Sequence, residues 1–323
     1  MRPGNPTKVS IVIPSRGGAM RLPRLLDSLT RQTHPDWEAI VVVDGDIDGS
    51  AGVVSTFAES HPDCHVRAIV LPENRGRVTA LNTGFAEATG EVLLRADDDF
   101  VLTAGHLAAH AAPHQAAWEQ GTRVGVVGLP INIAPDNAYM RAYGRWADER
   151  GRTQAGATPA AQRWRLWGGN VSCTREVYDE VGGYDPRYRG YGWEDLDFGY
   201  RLHQLGVPIV IADEAAVEHH MASVTTTIRA RRAWDSGMAR ARFEQIHGEG
   251  SSGQATPTGT DPWNRLVRGT AGILTPRSLA TMTRGIDSAL SFTPTLVGRK
   301  LVALAVESAA IAGFRRGRKE PRP

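Results

Sequence analysis

Two stretches of this sequence decide its fold: Val9-Ser-Ile-Val-Ile-Pro-Ser-Arg16 and Ala39-Ile-Val-Val-Val-Asp-Gly-Asp46. Each is a short apolar run that ends in turn-forming or charged residues, a pattern typical of a strand buried on both faces of a sheet. Between them, leucines recur at helical spacing from Leu22 to Leu29. A strand, a helix and a second strand in this order predict a βαβ unit, whose two strands are parallel.

The same alternation continues through the first half of the chain. Helical patterns follow at residues 51–59 and 78–88, and apolar runs at 66–71, 91–94 and 124–127. Repeated βα units predict an α/β fold, with a Rossmann-like, mostly parallel sheet and helices on both faces. Ligands of such sheets bind beyond the carboxyl ends of the strands. The segments that follow predicted strands are residues 14–18, 44–50, 72–77 and 97–99.

The second half has a different pattern. Residues 150–161 are rich in Gly, Thr, Ala and Pro, and we expect a mobile loop that orders over a bound substrate. Helices are predicted at 175–181, 194–205 and 226–246, with a strand at 208–212. Composition divides the chain into a domain of residues 1–247, with halves 1–130 and 131–247, a flexible linker at 248–262 and a helical segment at 263–323 with a basic tail.

Composition excludes few classes of protein. The formal net charge is +2, and the first 220 residues contain no sustained basic stretch, which argues against a nucleic-acid partner. Cys64 and Cys173 lie far apart without companions at metal-ligand spacing, and this indicates a reducing, cytoplasmic setting. Residues 1–8 lead into a strand pattern without the apolar core of a signal peptide.

No window of the sequence predicts a membrane span, which needs about 20 apolar residues. The richest candidate, residues 296–314, is interrupted by Arg299, Lys300 and Glu307.

The most informative short segment is Arg95-Ala-Asp-Asp-Asp-Phe100, directly after a predicted strand. Three adjacent carboxylates repel one another, which a folded protein tolerates when a cation binds them or when they face open solvent. Oxygen ligands suit Mg²⁺ or Mn²⁺, and these ions also bind diphosphate oxygens. The triplet alone leaves a solvated acidic turn or a helix N-cap as the alternative.

A second acidic segment is Gly190-Tyr-Gly-Trp-Glu-Asp-Leu-Asp197. Glu194 and Asp195 would occupy the first turn of a helix, where the dipole favours anions, so a purely structural interpretation is open. The glycines and aromatic residues before the acids indicate a sugar-binding wall with a carboxylate at its rim. His219 and His220 follow a strand, and a histidine pair is weak evidence by itself.

In family order, these segments resemble the family 2 glycosyltransferases, which have the GT-A fold. The resemblance runs from Val9 to about His247. Residues 9–16 resemble the family's nucleotide-binding turn, and residues 74–84 (Asn-Arg-Gly-Arg-Val-Thr-Ala-Leu-Asn-Thr-Gly) are similar to its Asn-x-Gly-x-x-x-Ala-x-Asn-x-Gly stretch. The resemblance implies donor contacts from Pro14, Ser15, Arg16, Asp44, Asp46, Arg77, Asp97 and Asp98.

One departure concerns the aspartate that holds the nucleotide base. The family commonly has Asp-Asp-Gly-Ser after its second strand, whereas residues 41–50 read Val-Val-Val-Asp-Gly-Asp-Ile-Asp-Gly-Ser. Asp44 fits the position, but Asp46 is also a candidate.

The resemblance also implies a metal site and an acceptor site. The aspartate triplet falls where the metal-binding Asp-x-Asp belongs, and residues 216–220 resemble the strand that supplies a histidine ligand. The implied ligands are Asp97, Asp99 and His219; His219 is preferred to His220 because it shares strand parity with Val217. The implied acceptor contacts are Trp167, Gly169, Asn170 and Trp193, with Asp195 as the catalytic base and Glu194 on a neighbouring acceptor hydroxyl.

The implied reaction moves a sugar from a nucleoside-diphosphate sugar, in the first place a UDP-sugar, to an acceptor hydroxyl with inversion and with Mn²⁺ or Mg²⁺. A glycan, a lipid-linked glycan and a natural product are all open as acceptors. A sugar nucleotidyltransferase would need a longer basic phosphate loop than residues 14–18. A non-catalytic sugar- or nucleotide-binding module would have no reason to keep aspartates, base and histidine together. A retaining transferase is the third alternative.

The C-terminal segment predicts a location at the inner face of the membrane, because basic clusters beside amphipathic helices bind anionic headgroups. Its apolar surface comprises Leu296, Val297, Leu301, Val302, Leu304, Ala305 and Ile311, and its basic end comprises Arg315, Arg316, Arg318, Lys319 and Arg322. The alternative is that these helices pack on their own catalytic domain or on a second subunit in a homodimer.

Overall fold

The computed structural model describes residues 7–221 and 223–320, so the expectations for residues 1–6 and for Arg322 lie outside the described chain. These residues form two compact units, each built from separated segments. Unit 1 comprises the described residues up to Ile133, Ala155–Arg189 and Asp195–His220; unit 2 comprises Ala134–Gln154, Gly190–Glu194 and the described residues from Met221 onward. Neither unit begins or ends at residue 247, where the sequence predicted a domain boundary.

The strands form one large and one small sheet. The large sheet has the order β3-β2-β1-β4-β8-β6-β9, and only β8 runs against its neighbours; the small sheet has the order β5-β10-β7. The strands are β1 (Val9–Ser15), β2 (Trp37–Asp44), β3 (Val66–Leu71), β4 (Val92–Ala96), β5 (Phe100–Leu102), β6 (Gly125–Val127), β7 (Pro130–Ile133), β8 (Asn170–Thr174), β9 (Ile209–Ile211) and β10 (Val217–His220).

Eleven α-helices accompany the strands in the described chain. They are α1 (Leu22–Leu29), α2 (Ser50–Ser60), α3 (Arg77–Glu87), α4 (His106–Glu119), α5 (Arg145–Gly156), α6 (Arg175–Val181), α7 (Glu194–Gln204), α8 (Thr226–His247), α9 (Pro262–Ile273), α10 (Pro276–Ala289) and α11 (Thr295–Gly317). A π-helix covers Met140–Gly144, and 3₁₀ turns cover Ala160–Leu166, Asp213–Ala215 and Leu290–Phe292.

Helices cover both faces of the large sheet, as predicted. Side chains alternate along a strand, so Ile11 and Ile13 of β1 pack with Leu25 of α1 on one face. Val12 points to the other face, where a Cβ on Gly84 of α3 would lie 2.4 Å from it. Glycine at this position lets α3 approach the sheet closely. Because β1 is parallel to both β2 and β4, the carboxyl ends of these three strands lie at the same edge of the sheet.

The C-terminal helices belong to a second hydrophobic core. Val302, Ala305 and Ile311 of α11 are buried with residues of α8 and α9, so most of the apolar surface predicted to face a membrane lies inside unit 2. Leu296 and Val297, at the start of α11, remain exposed. None of the helices in the described ranges has the length and hydropathy to cross a bilayer.

The expected mobile loop at residues 150–161 is wrong. Arg145–Gly156 is helical and Ala160–Leu166 forms a 3₁₀ turn. Glycine and threonine suggested a loop, but Gly151 sits inside the helix with open space around it, and Asp148 pairs with Arg152 one turn later. The composition suggested a loop wrongly, because the helix Arg145–Gly156 contains only two glycines among residues that tolerate helical backbone.

Candidate active site

The three aspartates after β4 point to different partners. Asp98 is buried, accepts a hydrogen bond from Ser15 Oγ at 2.6 Å, and pairs with Arg21 Nη2 at 2.8 Å. Burial raises the pKa of Asp98, although the hydrogen bonds from Arg21 and Ser15 oppose the shift. A Cβ on Gly18 would lie 2.6 Å from this carboxylate. These contacts join the ends of β1 and β4, and the donor contacts predicted for Asp98 and Ser15 stay predictions.

Asp97 faces a buried arginine. Arg95 Nε and Nη2 donate to Asp97 Oδ1 at 3.2 and 3.0 Å. Burial alone would raise the pKa of Asp97, but the charges of Arg95 and Arg77 outweigh it and lower the pKa. The β4–β8 register places Ala96 opposite Asn170, so Gly169 comes next to the aspartate, and a Cβ there would lie 2.5 Å from Asp97 Oδ2. Only glycine leaves room for this carboxylate.

The guanidinium of Arg95 also binds Asp195, the predicted base. Its Nη1 donates to Asp195 Oδ1, and the Arg95 side chain is only 1% exposed. The ring of Tyr184 lies 5.9 Å below the guanidinium carbon. The three side chains thus form a charged triad of Arg95, Asp97 and Asp195, which joins the end of β4 to the first turn of α7. The sequence analysis assigned no role to Arg95. A charged residue within the apolar run of β4 was the feature that could have indicated one.

Asp99 meets the predicted histidine. β10 pairs with β5 so that His219 lies opposite Phe100, and the N–H of His220 donates to the Asp99 carbonyl at 3.0 Å. This pairing places His219 Nε2 3.4 Å from Asp99 Oδ2. The other ring nitrogen, Nδ1, lies 2.6 Å from Asn132 Oδ1 on β7. His220 turns away, with its Nδ1 3.3 Å from Arg24 Nη1.

This arrangement fits a cation. An amide oxygen can only accept, so Nδ1 of His219 donates to Asn132 and Nε2 faces the Asp99 carboxylate. Imidazole nitrogen and carboxylate oxygen are both common ligands of divalent metals. The second oxygen, Asp99 Oδ1, is buried and has no hydrogen-bond partner in the described chain. A divalent ion would satisfy both atoms, with Asn132 orienting the ring behind it.

The predicted set of three protein ligands is not assembled. Among residues 7–221 and 223–320, no three His, Cys, Asp or Glu side chains come together as a metal site. Asp97 Oδ1 binds Arg95, so Asp99 and His219 are the two side chains that could hold a cation here, with substrate oxygens and water completing its coordination. Mg²⁺ is commonly bound in this way, through few protein ligands and substrate phosphates.

The aspartates after β2 are engaged by the backbone. Asp44 is buried and accepts from the N–H groups of Arg75 and Gly76 at 2.6 and 2.9 Å. Asp46 accepts from the N–H groups of Gly49 and Ala51, at the start of α2. Asp44 thus ties β2 to the loop before α3, and Asp46 caps a helix.

Two exposed arginines lie at the same edge of the sheet. Arg16 follows β1, next to Pro14, and its Nη1 donates to the Asp44 carbonyl at 2.8 Å. Arg77 begins α3, and its charge acts on Asp97. Both cations therefore face the edge where the acidic side chains converge.

Two of the predicted acceptor contacts lie in the interior. Asn170 is buried, and its Nδ2 donates to the carbonyls of Gly128 and Ala215 at 3.1 and 2.8 Å. Trp167 is buried and stacks on Phe198 with ring centroids 5.5 Å apart. These contacts hold both side chains in the interior, and the acceptor contact predicted for each stays a prediction.

Trp193 belongs to unit 2 and has an unusual backbone. Its φ is +68°, a left-handed conformation rare for a residue with a side chain, and Gly192 before it has a φ of +94°. Trp193 Nε1 donates to Ser236 Oγ at 3.1 Å. The next residue, Glu194, is buried at the first position of α7.

Solved structures show the same fold. The mannosyltransferase PcManGT from Pyrobaculum calidifontis, in complex with GDP-Man and Mn²⁺, superposes with a TM-score of 0.61 at 20% identity, covering 96% of this chain and 88% of that chain. GalNAc-T7 with UDP, GalNAc and Mn²⁺ gives a TM-score of 0.53 at 18% identity, covering 90% and 59%. The fold and the acidic edge of the sheet thus define a glycosyltransferase of the GT-A class.

The sequence comparisons agree and narrow the class. The model of "Glycosyl transferase family 2" matches residues 10–190. A validoxylamine A glucosyltransferase from Streptomyces hygroscopicus subsp. jinggangensis is 28% identical over 237 residues, covering 64% of this chain and 54% of that protein. This chain belongs to the family 2 glycosyltransferases. It spans about half the length of the curated validoxylamine A glucosyltransferases that it matches.

Proposed function

We propose that this protein transfers a sugar from a nucleoside-diphosphate sugar to an acceptor hydroxyl, with inversion at the anomeric carbon and with Mn²⁺ or Mg²⁺ as cofactor. The observation that carries the proposal is that Asp99 Oδ2 faces His219 Nε2, while the buried Asp99 Oδ1 beside them has no hydrogen-bond partner in the described chain. The structures of PcManGT with GDP-Man and Mn²⁺ and of GalNAc-T7 with UDP and Mn²⁺ support it.

Asp99 and His219 would hold the cation at the diphosphate. Bound there, the cation supplies Lewis-acid stabilisation of the charge that grows on the leaving diphosphate. Arg77 and Arg16, both exposed, would donate charge-assisted hydrogen bonds to the same phosphates. Asp97 keeps one oxygen, Oδ2, for a donor hydroxyl or the cation, because its Oδ1 binds Arg95.

Asp195 is the proposed general base. A hydroxyl is a weak nucleophile, so a carboxylate must take its proton as the bond to the anomeric carbon forms. Arg95 binds Asp195 through Oδ1 and favours its ionised form, which is the form that accepts a proton. In an inverting reaction this base lies on the side of the sugar opposite the leaving diphosphate. Glu194 stays assigned to a neighbouring hydroxyl of the acceptor.

The nucleotide-sugar donor and the cellular location of the protein are also proposals. We assign a UDP-sugar as the donor and a cytoplasmic location as the setting, and glycan, lipid-linked glycan and natural-product acceptors all fit the proposed chemistry. The family assignment favours glycosyl transfer over nucleotidyl transfer and over a non-catalytic binding module. Contact with an anionic membrane would use the exposed start of α11, because Val302, Ala305 and Ile311 farther along the helix are buried. A homodimer is the other proposal for this surface.

The test is release of nucleoside diphosphate from a panel of UDP-, GDP- and dTDP-sugars, with Mn²⁺, with Mg²⁺ and with chelator. His219→Gln and His220→Gln form a matched pair, because only His219 faces Asp99. We expect His219→Gln to lose at least tenfold in activity at a fixed Mn²⁺ concentration and His220→Gln to retain it. Equal activity of the two variants, or full activity in chelator, would contradict the proposed site.

A further inference from the structure

Unit 2 contains a basic cavity that the reaction described above does not use. Its volume is about 320 Å³, within the range of small-ligand sites. One wall is a face of α8 that presents Arg229, Arg232, Ser236 and Arg240, spaced by three or four residues. The opposite wall is α11, and Tyr191 and Trp193 complete the lining. None of the lining residues is acidic.

Aromatic rings and hydroxyl groups hold two of these arginines in place. The guanidinium of Arg232 lies 5.1 Å from the ring centroid of Tyr191, and its Nη1 donates to Ser223 Oγ at 2.8 Å. Arg240 lies 5.6 Å from the ring of Trp193, and its Nε donates to Ser252 Oγ at 2.8 Å. Guanidinium groups fixed in this way can bind an anion without first losing side-chain freedom.

Two arginines of the cavity, Arg229 and Arg232, have no carboxylate oxygen within 4 Å in the described part of the chain. The nearby arginine on the outer face of α8 differs, because Arg231 pairs with Asp235 at 4.0 Å. Collecting like charges in a half-enclosed cavity is unfavourable unless an anion enters it.

The backbone of the aromatic wall is shaped for this cavity. Gly192 and Trp193 are consecutive residues in the left-handed region, and the hydrogen bond from Trp193 to Ser236 fixes the indole against α8. Strained backbone of this kind clusters at ligand sites.

We propose that this cavity binds a small molecule through an anionic group, a carboxylate or a phosphate. The cavity belongs to unit 2 alone, so the proposal does not depend on the proposed transferase function. A uronic acid and a sugar phosphate both carry such a group, whereas a neutral sugar does not.

Calorimetric titration of the full chain at low ionic strength tests the site with three probes: glucuronate, glucose 6-phosphate and glucose. We expect the two anions to bind and glucose not to bind; the tighter anion identifies the class of ligand. Arg229→Gln and Arg232→Gln should each weaken anion binding at least tenfold. Arg231→Gln, on the outer face of the same helix, removes one charge and should leave binding within twofold.

Two outcomes overturn the proposal. One is that neither anion binds the wild-type protein. The other is that Arg231→Gln weakens binding as much as Arg232→Gln does, because the loss of affinity would then follow from net charge and not from the cavity. Donor hydrolysis by the wild-type protein, measured without acceptor, separates this result from the proposed function. A protein that hydrolyses donor but binds no anion refutes only the cavity, and one that binds the anion but turns over no donor refutes only the transferase site.

Discussion

The buried guanidinium of Arg95 connects two carboxylates that the sequence presents about a hundred residues apart. Asp97 and Asp195 were both predicted as site residues, because acidic residues after a strand and at a helix start are visible in the sequence. Their common partner was not, since long-range pairing depends on which strands become neighbours. Here β8 inserts antiparallel beside β4 and brings Gly169 to Asp97.

Substitution of the proposed base should separate chemistry from binding. In Asp195→Asn we expect transfer to fall by about two to four orders of magnitude, because the amide cannot accept a proton. Donor binding, measured by calorimetry with Mn²⁺, should change little. Asp195→Asn also loses charge opposite Arg95, so the free energy of unfolding must be measured in parallel, and activity compared at a temperature where the variant is folded.

The control for this substitution is the neighbouring acid. Glu194→Gln should reduce transfer less than Asp195→Asn does. A larger loss in Glu194→Gln would reverse the assigned roles.

A row of buried histidines predicts how stability depends on pH. Burial lowers the pKa of His106, of His110 to about 4 and of His114 to about 3, because α4 places all three rings in the interior. The unfolded chain then binds more protons than the folded chain below about pH 6.5, so stability falls as the pH falls towards 4. At pH 5 the expected loss is about 2 kcal/mol per histidine.

Urea unfolding at pH 7 and pH 5 measures this dependence. His114→Gln should reduce the difference in unfolding free energy between the two pH values by about 2 kcal/mol. His65→Gln, at an exposed position, serves as the control and should leave it unchanged. If the two variants behave alike, the buried histidines are not the cause.

At the scale of elements, continuous apolar runs and leucine spacing predicted the first four strands and the first three helices to within a few residues. The small sheet was not predicted, because its strands have three or four residues each and no periodicity can be read over that length. α5 was mistaken for a loop for the opposite reason: none of its residues is buried, so it has no apolar stripe to reveal a helix.

The glycines of two helices give opposite predictions for the same substitution. Gly151 lies within α5 and a Cβ there would meet open space, so Gly151→Ala should raise the free energy of unfolding by about 0.5–1 kcal/mol. Gly182 ends α6 with a φ of +83°, so Gly182→Ala should lower it by about 1 kcal/mol although space is also open there. Chemical denaturation of the two variants measures both changes. A loss of stability in Gly151→Ala would argue against a helical backbone at that residue.

At the scale of the whole molecule, the chain divides into two units whose segments alternate along the sequence. Composition could locate the linker at 248–262 but could not show that residues 134–154 and 190–194 join the C-terminal helices, since that depends on tertiary contacts. Part of α11 is buried within unit 2, so less of its apolar surface is available to contact a membrane than the sequence predicted. Phe292, Leu296 and Val297, close together in sequence at the start of α11, are 91%, 71% and 51% exposed.

Co-sedimentation with anionic lipid vesicles tests this surface. Three apolar side chains are worth only a few kcal/mol when buried, about 1.5–3 kcal/mol each, so we expect weak binding that the double substitution Phe292→Ser and Leu296→Ser abolishes. Met20→Ser, which removes an equally exposed apolar side chain from unit 1, should bind as the wild type does. Equal sedimentation of the double variant and the wild type would place the contact elsewhere.

The charged triad of Arg95, Asp97 and Asp195 also constrains how this sequence can diverge. Loss of Arg95 alone removes the cation that both carboxylates share, and loss of either aspartate alone removes one of the two carboxylates paired with a buried cation. Every single step away from the present residues therefore passes through a destabilised intermediate. We expect the three positions to be inherited together, so that a descendant of this chain keeps all of them or has replaced them in concert.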